Sequence, residues 1–150
     1  MTAKEYLRRL ARFEANIKAK KERLSVLKEM AESVRSPVIT DMPKGSPGGT
    51  SRLEESVMKM ISLENEINDD EARLVAEKTK ALEMIGKLEN PDYQTVLISR
   101  YFKNESWEQI ATDMFFTERW IYTLHGRALQ ELDDILKEFS RVQSSSVQFS

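Results

Sequence analysis

In residues 117–127, TERWIYTLHGR, a single helical face carries Glu118, Arg119, Tyr122, Thr123 and Gly126. These residue types suit the reading of base edges. An arginine can bond guanine through two donors, a glutamate can accept from the cytosine amino group, and Tyr or Thr can touch phosphate or a thymine methyl. Thr117 stands just before them, where it can cap the helix that carries them. Catalytic chemistry has little to work with. The chain has no Cys and one His, His125, so disulfides, thiolate metal sites and Cys nucleophiles are excluded and structural zinc is disfavoured. The acid pairs Asp69-Asp70 and Asp133-Asp134 have no converging His, Asn or Gly-rich loop and read as helix surface. The expectation is a protein that is not an enzyme and uses neither cofactor nor metal. His125, beside a buried stripe, reads as a partly covered structural residue, with a phosphate contact in its charged form as the alternative.

The elements that must position this face are helical. Of 150 residues, 32% are charged, and Gly and Pro together number nine, a composition that predicts an all-α protein with long solvated faces. From Tyr6 the seam residues step by four and three through Leu10, Phe13, Ile17, Lys20, Leu24, Leu27, Ala31 and Val34, a heptad seam with one polar interruption. A second seam repeats every seventh residue at Leu53, Met60, Ile67, Leu74, Ala81 and Leu88, with Val57 and Ile85 at the ends and Glu64, Glu71 and Lys78 in the middle. Met58, Met60 and Met84 read as filling of this seam. Between the two lies SPVITDMPKGSPGGTS (36–51), whose prolines and glycines stop a helix. The simplest arrangement is an antiparallel helical hairpin, a coiled coil over 1–90 with a Pro/Gly loop at 36–51 and a second helix starting near Arg52. Such a hairpin sets Lys20 roughly opposite the stretch from Glu64 to Glu71, where an ion pair could fix register; side chains reaching to solvent at the seam edge are the equal alternative.

Asn90-Pro91-Asp92 ends the second helix and opens a small domain over 91–140, followed by a Ser-rich tail, 141–150, expected to be disordered. Ser106 can cap a helix that buries Trp107, Ile110, Ala111 and Met114. The small side chain of Ala111 suits a crossing with the next helix, which starts after a three-residue turn and buries Ile121, Leu124, Ala128, Leu132 and Ile135. The spacing is that of a helix-turn-helix. Trp107 and Tyr101 read as core, and Trp120 as core or rim.

The sequence SWEQIATDMFFTERWIYTLHGRALQEL, with RYF before it, resembles the C-terminal region four of sigma factors. One residue departs from that pattern. The turn position commonly held by Gly is Phe115, and a positive φ is costly for an aromatic, which leaves the turn open to a different shape. KEYLRRL, the loop's SP and MPKGSPGG, LENEI, PDY, RYF, SWEQIA and IYTLHGRAL together resemble small phage and prophage proteins from Gram-positive hosts, the ArpU- and RinA-type regulators of late operons. The resemblance implies a DNA-binding transcription activator working with host RNA polymerase, with Arg119, Tyr122, Thr123 and Arg127 at positions that face double-stranded DNA. Two other classes compete. One is a small-terminase-like packaging recogniser, although such proteins place their DNA-binding helices first, the reverse of the order here. The other is a protein-interaction module that binds polymerase without DNA.

Charge constrains all of these. Residues 92–137 hold five basic and eight acidic side chains, whereas residues 1–35 hold ten and five. Phosphate neutralisation supplies most nonspecific affinity, so a single copy is expected to bind DNA weakly and a coiled-coil homo-oligomer, a dimer first, to make up the difference. The basic run KAKKER (18–23) reads as a solvated face, with DNA flanks as the alternative. No run approaches the length of a membrane span and no cleavable leader is evident, so a cytoplasmic protein without membrane contact or small-molecule substrate is expected.

Overall fold

A computed structural model describes the backbone of residues 1–35 and 47–148 and the side chains of 1–33 and 52–143. The protein is all-α, and among the described residues there are five helices and no strand: α1 (Ala3–Arg35), α2 (Pro47–Ile85), α3 (Pro91–Tyr101), α4 (Trp107–Met114) and α5 (Glu118–Gln148). Most of the expected loop, 36–46, lies outside the described residues. Helix α2 begins at Pro47, five residues before the expected start, since proline is tolerated in a first helical turn, where its missing N–H has no partner to lose. It ends at Ile85, ahead of Gly86 rather than at Asn90, because glycine is a poor helix residue. At the other end, α5 runs on to Gln148, so the stretch expected to be a disordered tail from 141 is helical as far as that residue. Serine is only mildly unfavourable in a helix, and a polar composition alone does not stop one.

Two compact units divide the chain, one formed by Phe13–Val75 and the other by Met1–Arg12 with Ala76–Ser150. In the first, α1 and α2 run antiparallel. Phe13 meets the Arg73 guanidinium at 5.5 Å, Lys20 meets Glu66 and Asp70, each at 2.6 Å, and Lys28 meets Glu64 at 3.1 Å, so one residue number rises as its partner's falls. The apolar centre is Ile17, Leu63 and Ile67, flanked by Phe13, Leu24, Leu27 and Leu74. Lys20 is the polar interruption of the seam, and its ammonium is pushed up from its ordinary pKa by hydrogen bonds to Asp70 and then Glu66. One cation shared by two carboxylates one turn apart admits few other registers. Lys21 pairs with Glu71, so two lysines of the KAKKER run are spent within the hairpin. Leu63 is buried where a strict seven-residue repeat puts Glu64, and Met58 is 68% exposed rather than seam filling. A helix of 3.6 residues per turn drifts against a strict heptad, and the drift carries Leu63 inward.

The second unit takes in the first three turns of α1. Thr2 and Glu5 form a capping box: the Glu5 N–H donates to Thr2 Oγ1 at 3.2 Å and the Thr2 N–H to Glu5 Oε2 at 3.0 Å. The Ala3 N–H donates to Asp133 Oδ1 of α5, placing a carboxylate at the positive end of α1. Behind this cap Ala3 and Leu7 are buried with Met84, Ile85, Leu88, Leu97, Ala128 and Leu132. The buried face of α1 therefore shifts between Leu7 and Phe13, where its neighbours change. The sequence division at residue 90 differs from these units for that reason: periodicity marks an apolar face without saying what will cover it. Leu7→Ala is expected to cost about 2–4 kcal/mol in urea denaturation. A cost below about 1 kcal/mol would mean that the start of α1 is not part of this core.

Candidate nucleic-acid interface

Each end of α4 is closed by its own sequence. Ser106 accepts the Gln109 N–H at 3.2 Å, the expected cap, and Gln109 Nε2 donates to Asp113 Oδ1 at 2.8 Å along the outer face. At the far end Phe115 sits at φ 59 and ψ 37, in the left-handed region. The Phe116 N–H reaches back to the Ala111 carbonyl at 3.0 Å and the Phe115 N–H to that of Thr112 at 3.3 Å, the paired bonds of a Schellman ending. The turn thus keeps the conformation that glycine adopts without penalty, although Phe115 occupies it with its side chain 94% exposed. Three residues later α5 begins, with the Trp120 N–H donating to Thr117 Oγ1 at 3.1 Å, as the sequence predicts.

Ile110 and Ala111 of α4 meet Ile121 and Leu124 of α5 over Val96 of α3, with Trp107 and Met114 at the margin. Ala111 lies at the contact of α4 with α5, where a longer side chain would hold the helices apart. Since Ile121, Leu124, Ala128 and Leu132 face inward, the opposite side of α5 faces out. Thr117, Glu118, Arg119, Tyr122 and Arg127 are exposed and Thr123 is half-exposed. Their neighbours differ. Thr117 is engaged as the cap, and the Thr123 hydroxyl donates to the Arg119 carbonyl at 3.3 Å, leaving its methyl and lone pairs for a partner. Tyr122 leans on Trp107, ring centroids 5.1 Å apart. Arg127 lies 5.4 Å over the Trp120 ring, and Trp120 packs edge-on against Phe116 at 6.5 Å. Trp120 is therefore a rim residue. Glu118, Arg119, Tyr122 and Thr123 share the first two turns of α5, while Arg127 stands about 12 Å from Arg119 along the axis.

A second aromatic group, which sequence reasoning places in the core without its connections, braces Tyr122. Trp107 carries the Arg100 guanidinium on its ring at 4.3 Å and meets His125 edge-on at 4.7 Å. Arg100 also donates to the Glu105 carbonyl at 3.0 Å, across the bend at Asn104, whose φ is 56. His125 Nε2 is hydrogen-bonded to the Tyr101 hydroxyl at 2.8 Å. Burial and then the charges of Lys4, Arg100 and Arg8 lower the His125 pKa to about 4, and burial raises that of Tyr101. The imidazole is neutral at pH 7, as the structural reading of this residue requires. Among the described residues no group of three or more His, Asp or Glu is placed to hold a metal ion, and no helix is long and apolar enough to cross a membrane.

One family's sequence model matches residues 33–133, about two thirds of the chain. The chain belongs to DUF1492. That family is described as proteins of unknown function. The stretch matched to DUF1492 takes in α2, α3, α4 and the first half of α5, including the whole exposed face discussed above. No curated protein and no solved structure matches the chain.

Two measurements test this geometry. Phe115→Gly removes the left-handed cost and sacrifices almost no buried surface, so it is expected to stabilise the protein by about 1 kcal/mol. A destabilised variant would show that the aromatic ring makes contacts the structure lacks. For His125 the folded pKa lies below the unfolded value of about 6.5, so the unfolded chain takes up the proton first as pH falls. Its contribution is complete above about pH 6.5 and is lost between there and about pH 4. The loss is on the order of 1 kcal/mol once solvent screening of a half-exposed group is allowed for. Urea titrations at pH 7 and pH 5.2 should show it, and His125→Gln should flatten the difference.

Proposed function

We propose that this protein is a sequence-specific reader of double-stranded DNA that regulates transcription by binding rather than catalysis. The observation that carries the reading is the pair α4 and α5. They are joined by a three-residue turn in which Phe115 is left-handed, close on Ala111, and leave Glu118, Arg119, Tyr122 and Thr123 on the outer face at the start of α5. A helix offered by its first two turns, with those residue types on its outer face, has the dimensions and donors that enter a major groove. The likeness of the segment to sigma region four, and of the chain to phage late-operon activators, supports a regulator that works with host RNA polymerase. The antiparallel α1–α2 pairing leaves Val26, Met30, Met58 and Ile61 substantially exposed, which supports assembly of two copies through this unit. A second reading, a module that binds polymerase or another protein without DNA, draws support from the exposed rings of Phe115 and Phe116 at the turn. The packaging-recogniser reading has no comparable observation in its favour.

Selection of bound duplexes from a random library, followed by footprinting with and without RNA polymerase, separates these readings. The expected result is one enriched motif, with Arg119→Ala relaxing preference at a single base pair by about 1–3 kcal/mol and Tyr122→Ala weakening binding. No enrichment, with retention of polymerase on the immobilised protein, would replace the DNA reading by the second. Sedimentation at micromolar concentration should give a dimer; a monomer would remove the argument that weak readers act in pairs.

A further inference from the structure

The acidic balance of residues 92–137 leaves the proposed reader short of cations for phosphate. The fold supplies what that segment lacks. Met1–Arg12 hold four basic residues and one acid, and they belong to the same compact unit as α3, α4 and α5, which brings that unit to thirteen basic and thirteen acidic side chains. Lys4, Arg8 and Arg12 follow one another at intervals of four, a single stripe that spans about 12 Å along α1. All three are exposed, while Ala3 and Leu7, one position before Lys4 and Arg8, are buried against Leu97, Ala128 and Leu132. The stripe is thus held against the body of the unit by a packed face and by the Asp133 cap on Ala3. Among the described residues none of the ion pairs involves Lys4, Arg8, Arg9 or Arg12.

The stripe also lies on a definite side of α5. Ala3 is capped by Asp133 and packs, with Leu7, in one cluster with Ala128 and Leu132. The charges of Lys4 and Arg8 act on His125, which touches Trp107, which in turn supports Tyr122. This is the Tyr122 flank of the exposed face, opposite the flank where Arg127 covers Trp120.

We infer that Lys4, Arg8 and Arg12 form a phosphate-binding stripe, on which the backbone of the duplex lies beside the groove that α5 enters. The inference rests on the DNA reading above and adds a division of labour: α5 reads bases, and the first three turns of α1 neutralise phosphates. Base contacts and phosphate contacts leave different signatures, since only the latter release condensed counterions.

The test uses the full-length protein, a duplex carrying the enriched motif and a scrambled duplex, with affinities measured from low to moderate NaCl. Lys4→Gln with Arg8→Gln should lower the slope of log Kobs against log salt by about two, and should weaken both duplexes alike, leaving their affinity ratio unchanged. Lys4→Arg with Arg8→Lys should restore the slope, which a loss of folding could not explain. Arg119→Ala should do the converse, reducing the ratio with a smaller change of slope. If the wild type prefers the motif but the Gln variant keeps the wild-type slope, the stripe makes no phosphate contact and the inference fails while the DNA reading stands. If the wild type binds neither duplex, both fail.

Discussion

The apolar stripe Ile121, Leu124, Ala128, Leu132 on α5 is the constraint that the rest of the second unit depends on. Its first half is covered by α4 through Ile110 and Ala111, and its second half by α3 and the start of α1 through Leu97, Ala3 and Leu7. Each fully buried Leu or Ile in such a stripe contributes about 1.5–3 kcal/mol, far more than any surface pair nearby. The phase of this stripe therefore decides which residues of α5 face outward. Arg119 is exposed because Ile121 and Leu124 are not. The same burial brings the start of α1 to the unit, so the position of the basic stripe and of the proposed reading face follow from one packing event.

Charge adds a second constraint, and it works by segregation. In the α1–α2 unit, Lys20, Lys21 and Lys28 find carboxylates on the opposite helix, which fixes the antiparallel register and uses up cations. The polar interruption at Lys20 gains little stability from pairs that water still reaches, but a register shift would strand it beside apolar neighbours. Such a position specifies an arrangement more than it strengthens one. In the other unit the cations of α1 stay exposed and unpaired by carboxylates in the ion pairs described. The same helix is thus basic throughout, with part of its charge paired in one unit and the rest displayed.

Much of this was legible in the residues, and what was not has a physical reason. The caps at Ser106 and Thr117, the small residue at Ala111 and the pairing of Lys20 with the carboxylates of α2 all rest on local rules or on helical phase, which a sequence carries openly. Leu63 was hidden by the difference between 3.6 and 3.5 residues per turn. The membership of Met1–Arg12 was hidden because it depends on which face of α5 was available to be covered, a tertiary fact. T-x-x-E at residues 2–5 is a capping signature that could have marked the start of α1. The brace of Arg100, Trp107, Tyr122 and His125 joins three helices and leaves no periodic trace at all. Whether the exposed face meets DNA is decided by a partner, and the residue types there supply the chemistry for it without supplying the encounter.

Phe115 shows how such a site is to be weighed. A left-handed residue with a bulky, solvent-exposed ring costs free energy that glycine would save, and the ring recovers almost nothing by burial, with Phe116 and Trp120 also partly exposed nearby. Local and global preferences usually agree in a stable fold, and where they do not the conflict marks function more often than error. The exposed face of α5 and the aromatic turn that leads into it lie on one contiguous stretch, Phe115 to Arg127. A reader that only needed to aim α5 would be served by glycine at the turn. An aromatic held there at a cost makes sense if the turn itself touches something, either the edge of the duplex beside the groove or a protein bound next to it. On the proposed reading the turn would then belong to the contact surface as well as to the hinge behind it.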